Sequence, residues 1–313
     1  MMKEMQKIDA QKDYRDERMQ IINVGAFMGS DAYLLITKEK AALIDSGFSF
    51  CAQQMIENIE KELDGRNLDY VLLTHSHYDH ASGSPYCKVH FPGVKTVAGA
   101  YAGKIFAKPS ALAVMAEMND SVAKDYGVDR YEDRLNELSV DQTVGEGDVI
   151  DLGSVTLEVI EAPGHTKCSI AFYIPEEKML ISCETMGVYA GEDLVAPCFL
   201  VGYEMSLRFI KRAQTMDIEK ILVPHYGVMI AGQCKAFLKN ALDCNESLYG
   251  LIVGDAREGK TVEEIIAHYQ SVFYNAETKK IQPLQAFELN AKYLVPMVLK
   301  EAREKQQLPS EDL

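Results

Sequence analysis

The chain lacks any uninterrupted apolar run long enough to span a bilayer, and residues 1–18 are polar and charged, unlike the apolar core of a signal peptide. These two absences predict a cytoplasmic protein with no membrane partner. Basic residues are also scarce: 32 Lys and Arg stand against 47 Asp and Glu, a formal net charge of −15. Binding a phosphate backbone rests on cationic side chains, and no Lys- or Arg-rich block occurs, so no nucleic-acid partner is expected. Cysteine is sparse and scattered, at 51, 87, 168, 183, 198, 234 and 244. An odd number with no close pair fits reduced thiols serving mostly as small core residues. There is no short-period repeat and no low-complexity segment. What remains, 47% hydrophobic and 25% charged residues over 313 positions, suits a soluble globular protein with one large domain plus an appendage, or two modest domains.

Histidine is rare too, yet three of the seven fall within Thr74-His75-Ser76-His77-Tyr78-Asp79-His80. The preceding run Tyr70-Val71-Leu72-Leu73 reads as a short buried strand, which would place the motif where the chain leaves it for a helix. His75 and His77 are two apart and project to one side of an extended chain. Three imidazoles and a carboxylate crowded together repel or strip one another's protons unless a cation holds them. That donor set suits zinc, iron or manganese. A histidine-rich polar loop is the bland alternative, and chance placement of three of seven histidines here is improbable.

In chain order, residues 20–24, 32–36 and 41–44 read as strands, and Asp45-Ser46-Gly47 as a turn. A helix follows with Ala52, Met55, Ile56, Ile59 and Leu63 on one face, stopped by Asp64-Gly65. Residues 94–98 form another strand, and residues 101–126 one or two helices, with Pro109 opening the second. Strands at 155–160, 170–174, 178–182 and 220–223 deliver, at or just beyond their ends, His165, Glu184 and His225. Any of these three alone is ordinary; together with the first cluster they extend a metal site fixed by rigid strand ends. Beyond residue 235 the pattern is helical only. One stripe runs Phe237, Ala241, Cys244, Leu248, Leu251; a second Val262, Ile265, Ile266, Tyr269, Phe273; a third Leu284, Phe287, Ala291, Leu294, Val298. Thr261 and Glu264 make a capping box, Pro296 predicts a kink, and the charged tail after Lys300 reads as frayed.

The motif His75-x-His77-x-Asp79-His80, then His165, an acid at 184 and His225, resembles the metallo-β-lactamase superfamily of hydrolases over roughly residues 20–230. The resemblance implies an α+β fold, an αββα sandwich with helices outside and two divalent metals at one edge, followed here by an all-helical extension. It divides the chain into a lead-in (1–18), a catalytic domain (19–235) and a helical cap over or beside the active site (236–313). Carried over by position, His75, His77 and His165 bind the first metal, and Asp79, His80 and His225 the second. Glu184 stands where the family usually has an aspartate bridging both ions, a departure that bears on metal spacing and on the second site. The tail looks like that of the thioesterase-type members, the glyoxalase II group and the quinolone-signalling thioesterase among them.

Two metals ~3.5–4 Å apart can hold a bridging water and lower its pKa to give a hydroxide nucleophile. Zinc is the expected ion, with iron and manganese as alternatives, and Asp79 is the expected orienting group and proton acceptor. The expected activity is hydrolysis of a small acyl thioester, ester or lactone. A phosphodiesterase with the same dinuclear site and a slow or inactive metal-bearing regulatory protein are the competing readings. Tyr189, Tyr203 and Tyr226 lie near metal-bearing turns as substrate contacts, with packing roles the alternative for each. The partner is a small molecule, and the helical stripes are compatible with a homodimer.

Overall fold

The computed structural model describes residues 13–27, 29–191 and 194–309, which divide into two compact units. The first comprises the described residues up to Glu161, with Cys168–Ser182 and Glu219–Met229; the second comprises Ala162–Lys167, Cys183–Ile218 and the chain from Ile230 onward. The helices expected from residue 236 thus share a unit with two earlier stretches.

The first unit holds two sheets. Seven strands lie in chain order in the first: β1 (Tyr14–Arg15), β2 (Met19–Asn23), β3 (Tyr33–Thr37), β4 (Ala41–Ile44), β5 (Tyr70–Leu73), β6 (Lys95–Gly99) and β7 (Gln142–Val144). The meander β1 to β4 is antiparallel, and β4 to β7 run parallel. Helix α1 (Ala52–Leu63) makes the first parallel crossover. Its five apolar stripe residues are all buried, and it ends at Asp64, whose φ is +47°. Between β5 and β6 come α2 (Tyr78–Ala81) and α3 (Ser84–His90), then α4 (Ala100–Phe106) and α5 (Pro109–Asp125) after β6.

The second sheet is built from β8 (Val149–Asp151), β9 (Thr156–Glu161), β10 (Ile170–Ile174) and β11 (Met179–Ile181), continued by two later strands. After a separate ribbon of β12 (Val188–Tyr189) and β13 (Val195–Ala196), those are β14 (Lys220–Val223), parallel to β11, and β15 (Gly227–Ile230) at the edge.

One face of the first sheet (Leu34, Leu43, Val71) packs on α1 and α3 to α5 through Met55, Ile59, Cys87, Phe106 and Met115. Its other face (Ile21, Leu35, Ile44, Leu72, Val97) meets the inner face of the second sheet (Leu157, Val159, Phe172, Ile181, Leu222). Period-two alternation explains this: β3 and β5 carry apolar residues on both faces because both faces are covered.

The second unit contains α6 (Tyr203–Thr215), α7 (Gly232–Arg257), α8 (Val262–Phe273), α9 (Thr278–Ile281) and α10 (Leu284–Glu304). Phe199, Leu248, Ile252, Ile265, Phe287 and Leu294 form its core. The capping box of Thr261 and Glu264 opens α8. Within the stretch expected as a lead-in, Tyr14–Arg15 pairs with β2 and the Tyr14 hydroxyl donates to Glu177 at 2.8 Å; residues 1–12 lie outside the described residues. One expectation is corrected. The tail after Lys300 is not frayed throughout, because α10 runs on to Glu304 and buries Ala302; residues 310–313 lie outside the described residues. No helix among the described residues is long and apolar enough to cross a membrane.

Candidate metal centre

The motif begins where β5 ends, and its shape is set by one carboxylate from the end of β4. Asp45 (φ +55°) accepts from the Thr74 backbone N–H and the Thr74 hydroxyl, each at 2.7 Å, and lies 2.8 Å from His80 Nδ1. The next residue, Ser46, donates its N–H and Oγ–H to the His80 carbonyl at 2.6 and 2.9 Å. Gly83 lets the chain after α2 pass this turn: a Cβ there would sit 2.0 Å from the Ser46 carbonyl oxygen. The outcome is a tight group of rings. His75 lies 4.7 Å from His77 and 4.1 Å from His80 between centroids, and His80 lies 5.1 Å from His225.

His225 reaches this group from the end of β14 through a turn in which its own φ is +58°. That left-handed conformation is held by Asp31, both of whose oxygens accept the His225 N–H, at 2.9 and 2.8 Å. Burial pushes the Asp31 carboxyl up, against His225 and His80, which pull it down. Asp31, His80 and His225 each offer a ligand atom, all within 4.8 Å of one another.

The ring nitrogens decide what the centre can hold. The Nδ1 atoms of His80, His225 and His75 face Asp45, the Gly29 carbonyl (3.2 Å) and the Thr74 hydroxyl (3.0 Å). The Thr74 hydroxyl gives its proton to Asp45, so it accepts from His75. A neutral imidazole whose Nδ1–H is donated presents a lone pair at Nε2. Nε2 of His80 and Nε2 of His225 lie 3.7 and 3.9 Å from the same oxygen of Asp79. Two lone pairs and a carboxylate oxygen converging at that spacing, too long for direct hydrogen bonds, fit a divalent cation among them. The residues therefore suit the metal that the sequence pattern implies.

His165 and Glu184 belong to the second unit. His165 follows β9 through Ala162-Pro163-Gly164, and the turn is fixed by Thr185, whose hydroxyl donates to the Ala162 carbonyl at 2.6 Å. His165 Nδ1 lies 2.7 Å from the Cys198 carbonyl oxygen, and Nε2 lies 2.6 Å from Glu184 Oε2; both side chains are buried. Glu184 begins a short 3-10 turn after β11, and Cys183 beside it is buried.

Of the tyrosines expected near substrate, Tyr203 is buried in the helical core, stacked on Tyr249 at 4.1 Å. Tyr189 lies in β12 and Tyr226 beside His225, both half-buried. Sequence reasoning missed Asp31 altogether and read Asp45 only as a turn residue.

A family model described as the metallo-beta-lactamase superfamily matches residues 25–232. Among curated proteins, a hydroxyacylglutathione hydrolase (GloC) of Haemophilus influenzae is 29% identical over 168 residues, 54% of this chain and 71% of that protein. A hydroxyacylglutathione hydrolase of Ruegeria pomeroyi is 28% identical over 172 residues, again 54% of this chain, but 52% of that protein. The chain thus spans only about half the length of the second relative. A metallo-beta-lactamase family protein of Thermus thermophilus superposes with a TM-score of 0.61 at 18% identity, covering 92% of this chain and 89% of that one. A beta-lactamase domain protein of Burkholderia ambifaria gives 0.64 at 15% identity, covering 96% and 91%.

Proposed function

The chain belongs to the metallo-β-lactamase superfamily, and from that premise we propose that it hydrolyses a small acyl thioester, ester or lactone with two divalent metal ions, zinc first among them. The observation that carries this reading is the convergence of His80 Nε2 and His225 Nε2 on one Asp79 oxygen, with both Nδ1 atoms turned to protein acceptors. Relatives named for hydrolysis of hydroxyacylglutathione favour an acyl substrate over a phosphodiester.

In this reading His75, His77 and His165 hold the first ion, and Asp79, His80 and His225 the second. Bound divalent ions supply a water nucleophile near neutral pH and positive charge opposite the developing oxyanion. The chain's own groups do the rest. Asp79, whose side chain is 18% exposed, is open enough to accept the proton from the attacking water at its carboxylate. Asp45, Thr74 and the Gly29 carbonyl keep the Nε2 lone pairs aimed by holding the opposite nitrogens. Glu184 is a longer acid than the aspartate usual in the family and sits against His165 in the second unit. Zinc content per chain measures whether a second ion is held with a glutamate at this position.

The test compares hydrolysis of acyl thioesters, lactones and phosphodiesters by metal-loaded protein, alongside a His77→Ala variant and metal content per chain. Thioester or lactone turnover that falls on the order of 100-fold or more in the variant, with metal lost, supports the proposal. Turnover of phosphodiesters alone overturns it in favour of a phosphodiesterase.

A further inference from the structure

Against the metal motif lies an aromatic cluster that the chemistry above does not use. Phe27 stacks on Phe48 (5.4 Å between centroids) and meets Tyr126 at a tilt (4.3 Å); Phe50 joins Phe48 (5.4 Å), and Tyr131 meets Phe50 edge-on (6.2 Å). Tyr78, the residue between His77 and Asp79, completes it edge-on to Phe48 at 5.5 Å. Phe27 and Phe48 are buried, whereas Phe50, Tyr78, Tyr126 and Tyr131 are each partly open to solvent.

The loops that supply these rings are the ones that hold the ligands. Phe27 lies on the loop whose Gly29 carbonyl and Asp31 carboxylate contact His225. Phe48 and Phe50 follow Asp45, which contacts His80. Tyr126 follows α5, whose buried Asn119 accepts from the Ser49 N–H at 2.9 Å and donates to Ser82, just past the motif helix, at 3.0 Å. The rings and the ligand donors are therefore one tied assembly at the same end of the first unit. No ring carries a charge at neutral pH: the Tyr131 hydroxyl donates to Asp120 at 2.8 Å, and burial pushes the Tyr126 phenol up. Phe27 and Phe48 form a small buried core with Cys51 and Val122, and Phe50, Tyr78 and Tyr126 pack against it. With Tyr131, these partly open rings beside the donor residues form a surface that gains by covering apolar area.

We propose that this cluster receives a bulky apolar acyl group of the substrate, so that the enzyme prefers medium-chain acyl groups to acetyl or hydroxyacyl groups. The inference rests on the acyl-hydrolase reading for its reaction but has a readout of its own. Affinity should rise by roughly fourfold for each methylene buried.

The experiment measures binding of acetate, butanoate and hexanoate to the metal-loaded protein by calorimetry, and hydrolysis of the matching thioesters. It includes Phe50→Ala, which removes apolar area, and Phe50→Leu, which keeps most of it. The expected result is hexanoate bound at least about tenfold more tightly than acetate, the preference collapsing in Phe50→Ala and surviving in Phe50→Leu. Chain-length independence in the wild type overturns the inference even if Phe50→Ala fails to fold. So does a preference that Phe50→Ala leaves intact. Graded binding without any acyl hydrolysis sinks the proposed reaction and leaves the acyl surface standing; short-chain hydrolysis without graded binding does the reverse.

Discussion

Asp31 shows how much of a metal centre is carried by a residue that is not one of its expected ligands. A non-glycine residue at φ +58° costs on the order of 1–3 kcal/mol, and His225 adopts that conformation with its N–H held by both Asp31 oxygens. Removing the carboxylate leaves a buried donor without its acceptor and frees the turn, so the ring loses its aim at Asp79. Asp31→Ala is expected to weaken metal binding by about 10–100-fold, and Asp31→Asn, which keeps one acceptor oxygen, by clearly less. Competition with a chromogenic chelator measures this, and thermal melts of the metal-free proteins separate a lost fold from a lost site. Equal metal affinity in all three proteins would remove Asp31 from the centre's support. None of this was legible in the sequence. The histidine cluster announces itself because its members are within six residues. Asp31 and Asp45 act across chain separations of 194 and 35 residues, on His225 and His80, which local pattern does not reach.

At the scale of elements, legibility followed burial. The stripe of α1 is buried at every expected position, and the break at Pro109 separates α4 from α5. The elements that escaped are short or partly polar. β1 has two residues, β15 opens on a glycine and ends on an exposed Ile230, and α3 ends in exposed Val89 and His90. Such segments are fixed by their neighbours more than by their own pattern. Pro296 sits inside a helix that continues through it, flanked by buried Val295 and Val298. Tertiary contact also explains Asp255, near the end of α7, which contacts Lys260 Nζ at 2.5 Å and His268 Nδ1 on α8 at 2.6 Å. Burial pushes this carboxyl up, but Lys260 and His268 outweigh it and hold the group below the usual carboxylate range. A folded-state pKa below the unfolded value adds stability that is fully present above the unfolded pKa and lost as pH falls through the folded one. Asp255→Asn should therefore lower the urea midpoint by a constant amount near neutral pH. The gap should narrow below about pH 4, where the wild type loses the same contribution. A gap unchanged down to pH 2.5 would show that the carboxylate charge does not join α7 to α8.

At the scale of the molecule, the two-sheet sandwich was readable because alternating strands and one specific motif agree on it. The division into two compact units was not, because the chain passes between them at residues 162, 168, 183, 219 and 230, and no composition shift marks those points. Net charge, too, is a whole-molecule property with a consequence for the metal. A chain carrying −15 attracts divalent cations everywhere, through a diffuse field that salt screens within about 8–10 Å. Donors already oriented by hydrogen bonds bind by coordination, which salt weakens little. An ion that binds the folded chain alone at 100 times its Kd stabilises it by about 2.7 kcal/mol. Zinc at that level should raise Tm by several degrees over chelator-treated protein, and the rise should persist between 0.05 and 0.5 M salt. In a His77→Ala/His225→Ala double variant, which removes one donor from each proposed ion, most of the rise should disappear, and what remains should fade with salt as surface binding does. A metal-dependent rise that is equal in wild type and variant, or that vanishes with salt in both, would mean that zinc is held by the acidic surface and that the oriented donors serve another purpose.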